Sequence, residues 1–246
     1  NLCFSGWGNA TALTPEFKCT GEMITSDNIA CDILYHHEEY LGLKLWHRGF
    51  PVQLINERYK QTIVPNQSKE VLVQAGLWDN EPDVDAICRM SGGPFDLSFK
   101  SEDEYLIDPQ KYCPFNTQNT MFGKEIFPAL CLPPHVGRLD DIWASFIMQR
   151  VMRSIDKAVL FTGPTVVQDR NEHDLVKDLE AEMIGYKHSL EFMNWLNSIE
   201  LQGETVLEKY ESIVNRLHQL TFFPQEAILF MSEWVKDIRN LSQEIW

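Results

Sequence analysis

No stretch of the chain is apolar for the roughly 18–20 residues that a membrane-spanning helix needs, so any membrane anchor is expected to lie outside these 246 residues. Basic residues are scarce: 21 Lys and Arg stand against 36 Asp and Glu, a net charge of −15. A surface that acidic repels phosphate backbones, which argues against a nucleic-acid partner. No CxxC pair is present, which removes the usual structural zinc site. Neither GxGxxG nor GxxxxGK[ST] occurs in the first sixty residues, and G-x-S-x-G and HExxH are missing. Dinucleotide-fold, P-loop, serine-hydrolase and zincin readings therefore have no support. The first residue is Asn1, with no basic-then-apolar leader after it, so a signal or anchor is expected to have been removed or left out. What remains is an ordinary globular composition, 44% hydrophobic and 23% charged, which excludes disorder, collagen and coiled coil as descriptions of the whole chain.

Six cysteines (Cys3, Cys19, Cys31, Cys88, Cys113, Cys131) fall within the first 131 residues. An even number confined to a loop-rich half suits up to three disulfides in an oxidising compartment. Three N-x-S/T sequons, at Asn9, Asn66 and Asn240, point the same way.

Composition changes near residue 138. Before it, proline, glycine, aromatics and short β-prone runs dominate: 71–74 reads as a strand ended by a Gly76 turn, 86–89 as a weaker strand, and 91–94 as a turn. After it the pattern is helical. Leu139, Trp143, Phe146, Ile147, Val151 and Ile155 make one stripe. Leu175, Leu179, Met183, Tyr186, Leu190 and Met193 make a second. Val206, Tyr210, Ile213, Leu217 and Leu220 make a third, and Met231, Trp234, Ile238 and Leu241, opened by Pro224, a fourth. A short strand, 158–161, ended by Gly163-Pro164, breaks the series. The organisation expected is a mixed α/β core over 1–172 with a helical extension, 173–246, packed on it.

Three acidic or polar segments can carry chemistry. In Asp83-Val-Asp85, two carboxylates two residues apart suit one hard divalent cation; a solvated loop is the plain alternative. Trp78, nearby, is either a sugar-stacking ring or core. Asp140-Asp141 opens a helix, where both can cap backbone N–H groups or one can act as a general base, with Arg138 countering phosphate charge. His173, beside Asp174 and near Arg170, is an oriented base, a metal ligand, or an exposed histidine at a helix start.

These segments resemble a known group. Leu45-Trp-His-Arg-Gly-Phe-Pro51, Val73-Gln-Ala-Gly-Leu-Trp78 running on to Pro82-Asp-Val-Asp-Ala86, Pro114-Phe-Asn-Thr-Gln-Asn-Thr120 and Arg138-Leu-Asp-Asp-Ile-Trp143 running on to Gln149-Arg150 follow one another, and Pro164-Thr-Val-Val-Gln168 with Arg170-Asn171 closes the series. The order is similar to that of the STELLO-type glycosyltransferase-like family and, more distantly, to the reversibly glycosylated polypeptides (UDP-arabinopyranose mutases). The resemblance implies an α/β, GT-A-like glycosyltransferase core, a nucleotide-sugar donor, a glycan or glycoprotein acceptor, Mn²⁺ or Mg²⁺ at the diphosphate, and a Golgi-luminal or secreted location. It puts Asp140 or Asp141 forward as catalytic base. Trp78, Asp83, Asp85, Asn119, Arg138 and Arg170 become substrate contacts, and Asp83, Asp85 and His173 metal ligands. The family's nucleotide-binding half should precede the Arg48-Gly49 block, where only about 45 residues stand. Either the chain is the C-terminal portion of a longer protein, or it has lost that half and acts without turnover. Two functions follow: glycosyl transfer from a nucleotide sugar, or a non-catalytic luminal protein that binds glycan or partner through a transferase-derived fold.

Overall fold

The computed structural model describes residues 2–4 and 17–245. Strands β1 (Leu2–Phe4) and β2 (Phe17–Ser26) precede a connection holding 3-10 turns at Ile33–His37 and Val52–Lys60 and the single-turn α1 (Glu38–Leu41). Next come β3 (Gln61–Asn80), α2 (Ala86–Gly92), β4 (Glu104–Ile107) and β5 (Thr120–Phe122). Then α3 (Asp140–Arg153) and β6 (Lys157–Gln168) lead into α4 (Leu175–Ser198), α5 (Val206–Val214) and α6 (Gln225–Ile245). No helix among the described residues is long and apolar enough to cross a membrane. The mixed α/β class and the helical C-terminal end match the expectation from sequence.

The sheet is mixed and six-stranded, in the order β1-β6-β4-β2-β3-β5, with β6 also paired to β3. That extra pairing closes a ring: β2 runs antiparallel to β3, β3 parallel to β6, β6 antiparallel to β4, and β4 parallel to β2. Inside the ring sits a small apolar cluster of Val71, Leu106, Ala158 and Leu160. The larger core lies outside it, where Trp143, Phe146 and Ile147 of α3 join Phe192, Tyr210 and Met231 of the three following helices.

Two glycines read as strand-enders are instead bulge points. β3 runs through Gly76, whose N–H donates to Asn119 O at 2.8 Å and whose missing Cβ makes room for the Asn119 side chain. β6 runs through Gly163-Pro164. Between the pairs Gly76–Thr162 and Trp78–Val166 it carries two more residues than β3, so the turn signal becomes a bulge. A Cβ on Gly163 would lie 2.6 Å from the carbonyl oxygens of both Lys100 and Ser101. Residues 86–89 form helix α2, not a strand, because Asp85 caps it by accepting from Cys88 N–H at 2.8 Å.

Among the described residues the expected disulfides are not found. Cys19, Cys31, Cys88, Cys113 and Cys131 are free thiols, and all but Cys19 are buried. They serve as small apolar core groups, and burial pushes the Cys88 thiol up to about 12. The side chain of Cys3 and the sequon at Asn9 lie outside the described residues.

Candidate functional site

Arg48 joins two acidic segments that are far apart in sequence. Its Nε and Nη2 donate to the two Asp83 oxygens at 2.8 and 2.9 Å, and its Nη1 and Nη2 to the two Asp141 oxygens at 3.0 and 2.9 Å. Nη1 also donates to the carbonyl of Arg138. All three side chains are buried. Burial works against the arginine's charge, yet the two aspartates outweigh it and hold the pKa well above the ordinary range. Asp83 is likewise favoured as a carboxylate. Burial pushes its pKa up, but Arg48, with an Asn116 amide donating at 2.7 Å, holds it well below the usual value.

Asp85 faces other partners. It accepts from Trp46 Nε1 at 2.6 Å besides capping α2. Burial first, with the charge of Glu182 adding to it, pushes its pKa up to about 7. Glu182 of α4 accepts from Ala86 N–H at 2.8 Å, from Tyr186 Oη at 2.7 Å and from Arg138 Nε at 3.2 Å. Arg138 also donates to Asp178 at 2.6 Å, and His173 Nδ1 lies 3.0 Å from the other Asp178 oxygen.

Of the sequence-derived site residues, Asp83 and Asp141 lie together on Arg48, and Arg138 and His173 on Asp178. Asp141 is bound by a guanidinium on both oxygens and also accepts from Ile142 N–H, so both oxygens are already engaged. Asp140 accepts from Asp141 N–H at 2.9 Å at the start of α3, the capping alternative. Trp78 is 5% exposed, with its Nε1 donating to Glu81 O, so it presents no open stacking face. Asn119 ties β3 to the β6 bulge, donating to Leu77 O and accepting from Thr165 Oγ1. The set Asp83, Asp85 and His173 does not fit Mn²⁺ or Mg²⁺: the aspartates are taken by Arg48 and by Trp46 and α2, and His173 stands with Asp178. Among the described residues no group of three His, Cys, Asp or Glu could hold a metal ion. Between Asp85, Arg48, Glu182 and Tyr186 lies a cavity of about 10 Å³, room for one water but not for a sugar.

A second arginine stands beyond the carboxyl ends of the parallel strands β3 and β6. Arg170, two residues beyond β6, has a side chain only 11% exposed, yet makes no hydrogen bond among the described residues. Its nearest carboxylate oxygen, on Asp178, is 3.9 Å away and already met by His173. Burial, followed by the charge of Arg89, pulls its pKa down, while Asp83 and Asp178 act the other way. A largely covered guanidinium whose ion-pair partner stands 3.9 Å off suits a further anionic ligand.

Arg48, Asp178 and Glu182 were not among the candidates from sequence. Arg48 stands inside one of the blocks that carry the resemblance, which is the signal that could have found it. Asp178 and Glu182 hid behind the α4 stripe, which is rotated from the face expected: Met183 is exposed, while Asp178, Glu182, Gly185 and Ser189 turn inward.

Residues 138–245 match the model of a family described as STELLO glycosyltransferases, the family that the sequence resembles, so the chain is glycosyltransferase-like over this C-terminal portion. The matched stretch holds Arg138, Asp141, Arg170, Asp178 and Glu182, and leaves Arg48, Asp83 and Asp85 outside. No curated protein matches the chain.

Proposed function

We propose that this chain binds a nucleotide sugar of the secretory pathway, with the diphosphate held by Arg170 and Arg138 at the carboxyl ends of β3 and β6. The observation that carries the reading is the Arg170 guanidinium, which makes no hydrogen bond among the described residues and has its ion-pair partner Asp178 3.9 Å away. Both arginines lie in the stretch that matches the glycosyltransferase family, and both pair with Asp178, Arg138 at 2.6 Å and Arg170 at the longer distance. A glycan or glycoprotein is the acceptor in this reading. The GT-A-like character, the nucleotide-sugar donor and the Golgi lumen rest on the family resemblance, the last also on the sequons.

The engagement of Asp141 by Arg48, with Asp140 at the start of α3 accepting from Asp141 N–H, favours binding without turnover over transfer by this chain alone, since both candidate bases already have partners. Calorimetric titration of UDP tests the reading. Arg170→Ala is expected to weaken UDP about tenfold, roughly 1.4 kcal/mol, while leaving the melting temperature close to unchanged, because the ion pair it loses is a long one at 3.9 Å. Equal UDP affinity in wild type and variant removes the diphosphate from Arg170.

A further inference from the structure

The first half of β3 is an open edge. Among the described residues, 61–69 pair with β2 alone; pairing with β6 begins at Glu70 and with β5 at Val73. Thr62, Ile63, Pro65, Asn66 and Ser68 are all exposed there. An edge of this length offers a row of unpaired N–H and C=O groups to any other chain, and native proteins blunt such edges. Two blunting devices are present. Pro65 has no N–H to offer. Between the pairs Gly21–Gln67 and Met23–Val64, β2 carries one residue and β3 two, so Pro65 and Asn66 together oppose Glu22 in a bulge.

Asn66 takes the left-handed backbone of that bulge, with φ 57°, a conformation that asparagine tolerates better than most residues with a side chain. Its side chain is exposed and makes no hydrogen bond among the described residues. Ser68, two residues on, is exposed too; its hydroxyl accepts from Thr20 Oγ1 at 3.0 Å and donates to nothing among the described residues. Asn66-Gln67-Ser68 is therefore an N-x-S/T acceptor sequence with both its reacting amide and its hydroxyl open to solvent, on a kinked edge. The sequon at Asn240 differs, since it begins inside the regular helix α6.

We propose that Asn66 carries an N-linked glycan that covers the open edge of β3. In the transfer, Asn66 Nδ2 bonds to the anomeric carbon of an oligosaccharide carried on a lipid diphosphate. The bond from that carbon to the diphosphate oxygen breaks, the lipid diphosphate leaves, and Nδ2 gives up one proton. The assignment rests on the secretory-pathway part of the reading above and not on its nucleotide part. Asn66 and Asn80, the end of β3 that registers with Gln168, lie on the order of 45 Å apart along the extended strand.

The test directs the 246-residue chain into the endoplasmic reticulum of cultured cells with an added cleavable signal peptide. Peptide mass spectrometry then follows treatment with peptide-N-glycosidase, which turns a glycosylated Asn into Asp. Conversion of Asn66 is the expected result. It should be lost in Asn66→Gly, which keeps the left-handed backbone without strain, and in Ser68→Ala, and kept in Asn240→Gln. Neither of the first two adds a charge, so both leave the edge bare. In sedimentation they should associate at concentrations where the glycosylated chain does not, with thermal melts confirming that they are folded. Asn66 left unconverted in the wild-type chain overturns the site, and folded variants that associate no more than wild type overturn the cover. Conversion in the directed chain but not in the protein isolated from its own cells overturns the secretory reading and the assignment with it.

Discussion

Asp83 and Asp141, 58 residues apart in the sequence, are held on a single buried guanidinium, that of Arg48, with all four carboxylate oxygens within 3.0 Å of it. This contact turns two motifs that look catalytic into a brace. It pins the loop before α2 to the first turn of α3, and so fixes where α3 meets the sheet.

Breaking the brace from the arginine side leaves two buried charges without a counter-ion. Arg48→Met is expected to destabilise by about 3–5 kcal/mol, read as a fall in the midpoint of urea unfolding. Adding Asp83→Asn and Asp141→Asn to that variant should restore part of the loss. A single Arg48→Met variant as stable as wild type contradicts the brace.

Asp85 makes stability depend on pH with a definite sign. Its folded pKa, about 7, lies above the ordinary 3.8, so the folded chain holds a proton that the unfolded chain has released. That contribution is complete below about pH 4 and is lost as the pH rises towards 7, on the order of 4 kcal/mol. His36 and His37, whose pKa values burial pulls down to about 4, act in the opposite direction over much of the same range. The measurement is therefore the difference in unfolding free energy between wild type and Asp85→Asn from pH 4 to 8. Wild type should lose stability relative to the variant as pH rises, and Glu182→Gln should move that loss to lower pH. A difference that is flat with pH contradicts the assignment.

The β6 bulge tolerates no side chain at its first position. Gly163→Ala is expected to cost about 1–3 kcal/mol, since the new methyl meets two carbonyl oxygens of the segment before β4. Gly21→Ala, where nothing lies within 4 Å of the added carbon, is the control, and its midpoint should stay close to wild type.

Divalent cations should find no ready carboxylates at Asp83 and Asp85. Millimolar Mn²⁺ is expected to shift the melting temperature of the free chain by less than about 1 °C. A shift of several degrees that Asp83→Asn abolishes would show that the cation displaces Arg48.

Much of the helical half was legible in the sequence. In α3 and α5 nearly every apolar residue at helical spacing is buried, because the stripe there faces the core alone. In α4 the same logic pointed the wrong way. Arg138 comes up beneath its first turns, so Asp178 and Glu182 are drawn inward and Met183 is left outside, and charged residues on a helix read by default as its wet face. Gly76 and Gly163 carry turn signals that became bulges, which depends on a neighbouring strand that local sequence does not reveal. Arg48 gave no chemical signal, since its two partners lie 35 and 93 residues away. Asp83 and Asp141, read from sequence as substrate-binding and catalytic residues, lie together on Arg48, and the partners they have there were set by tertiary contacts.

The most direct measurement is diffraction from crystals grown with UDP and Mn²⁺. Phosphate density within hydrogen-bonding reach of Arg170 and Arg138, with Arg48 still on Asp83 and Asp141, is the result expected. Phosphate and metal density seated on Asp83 and Asp85, with Arg48 swung away, would contradict the account.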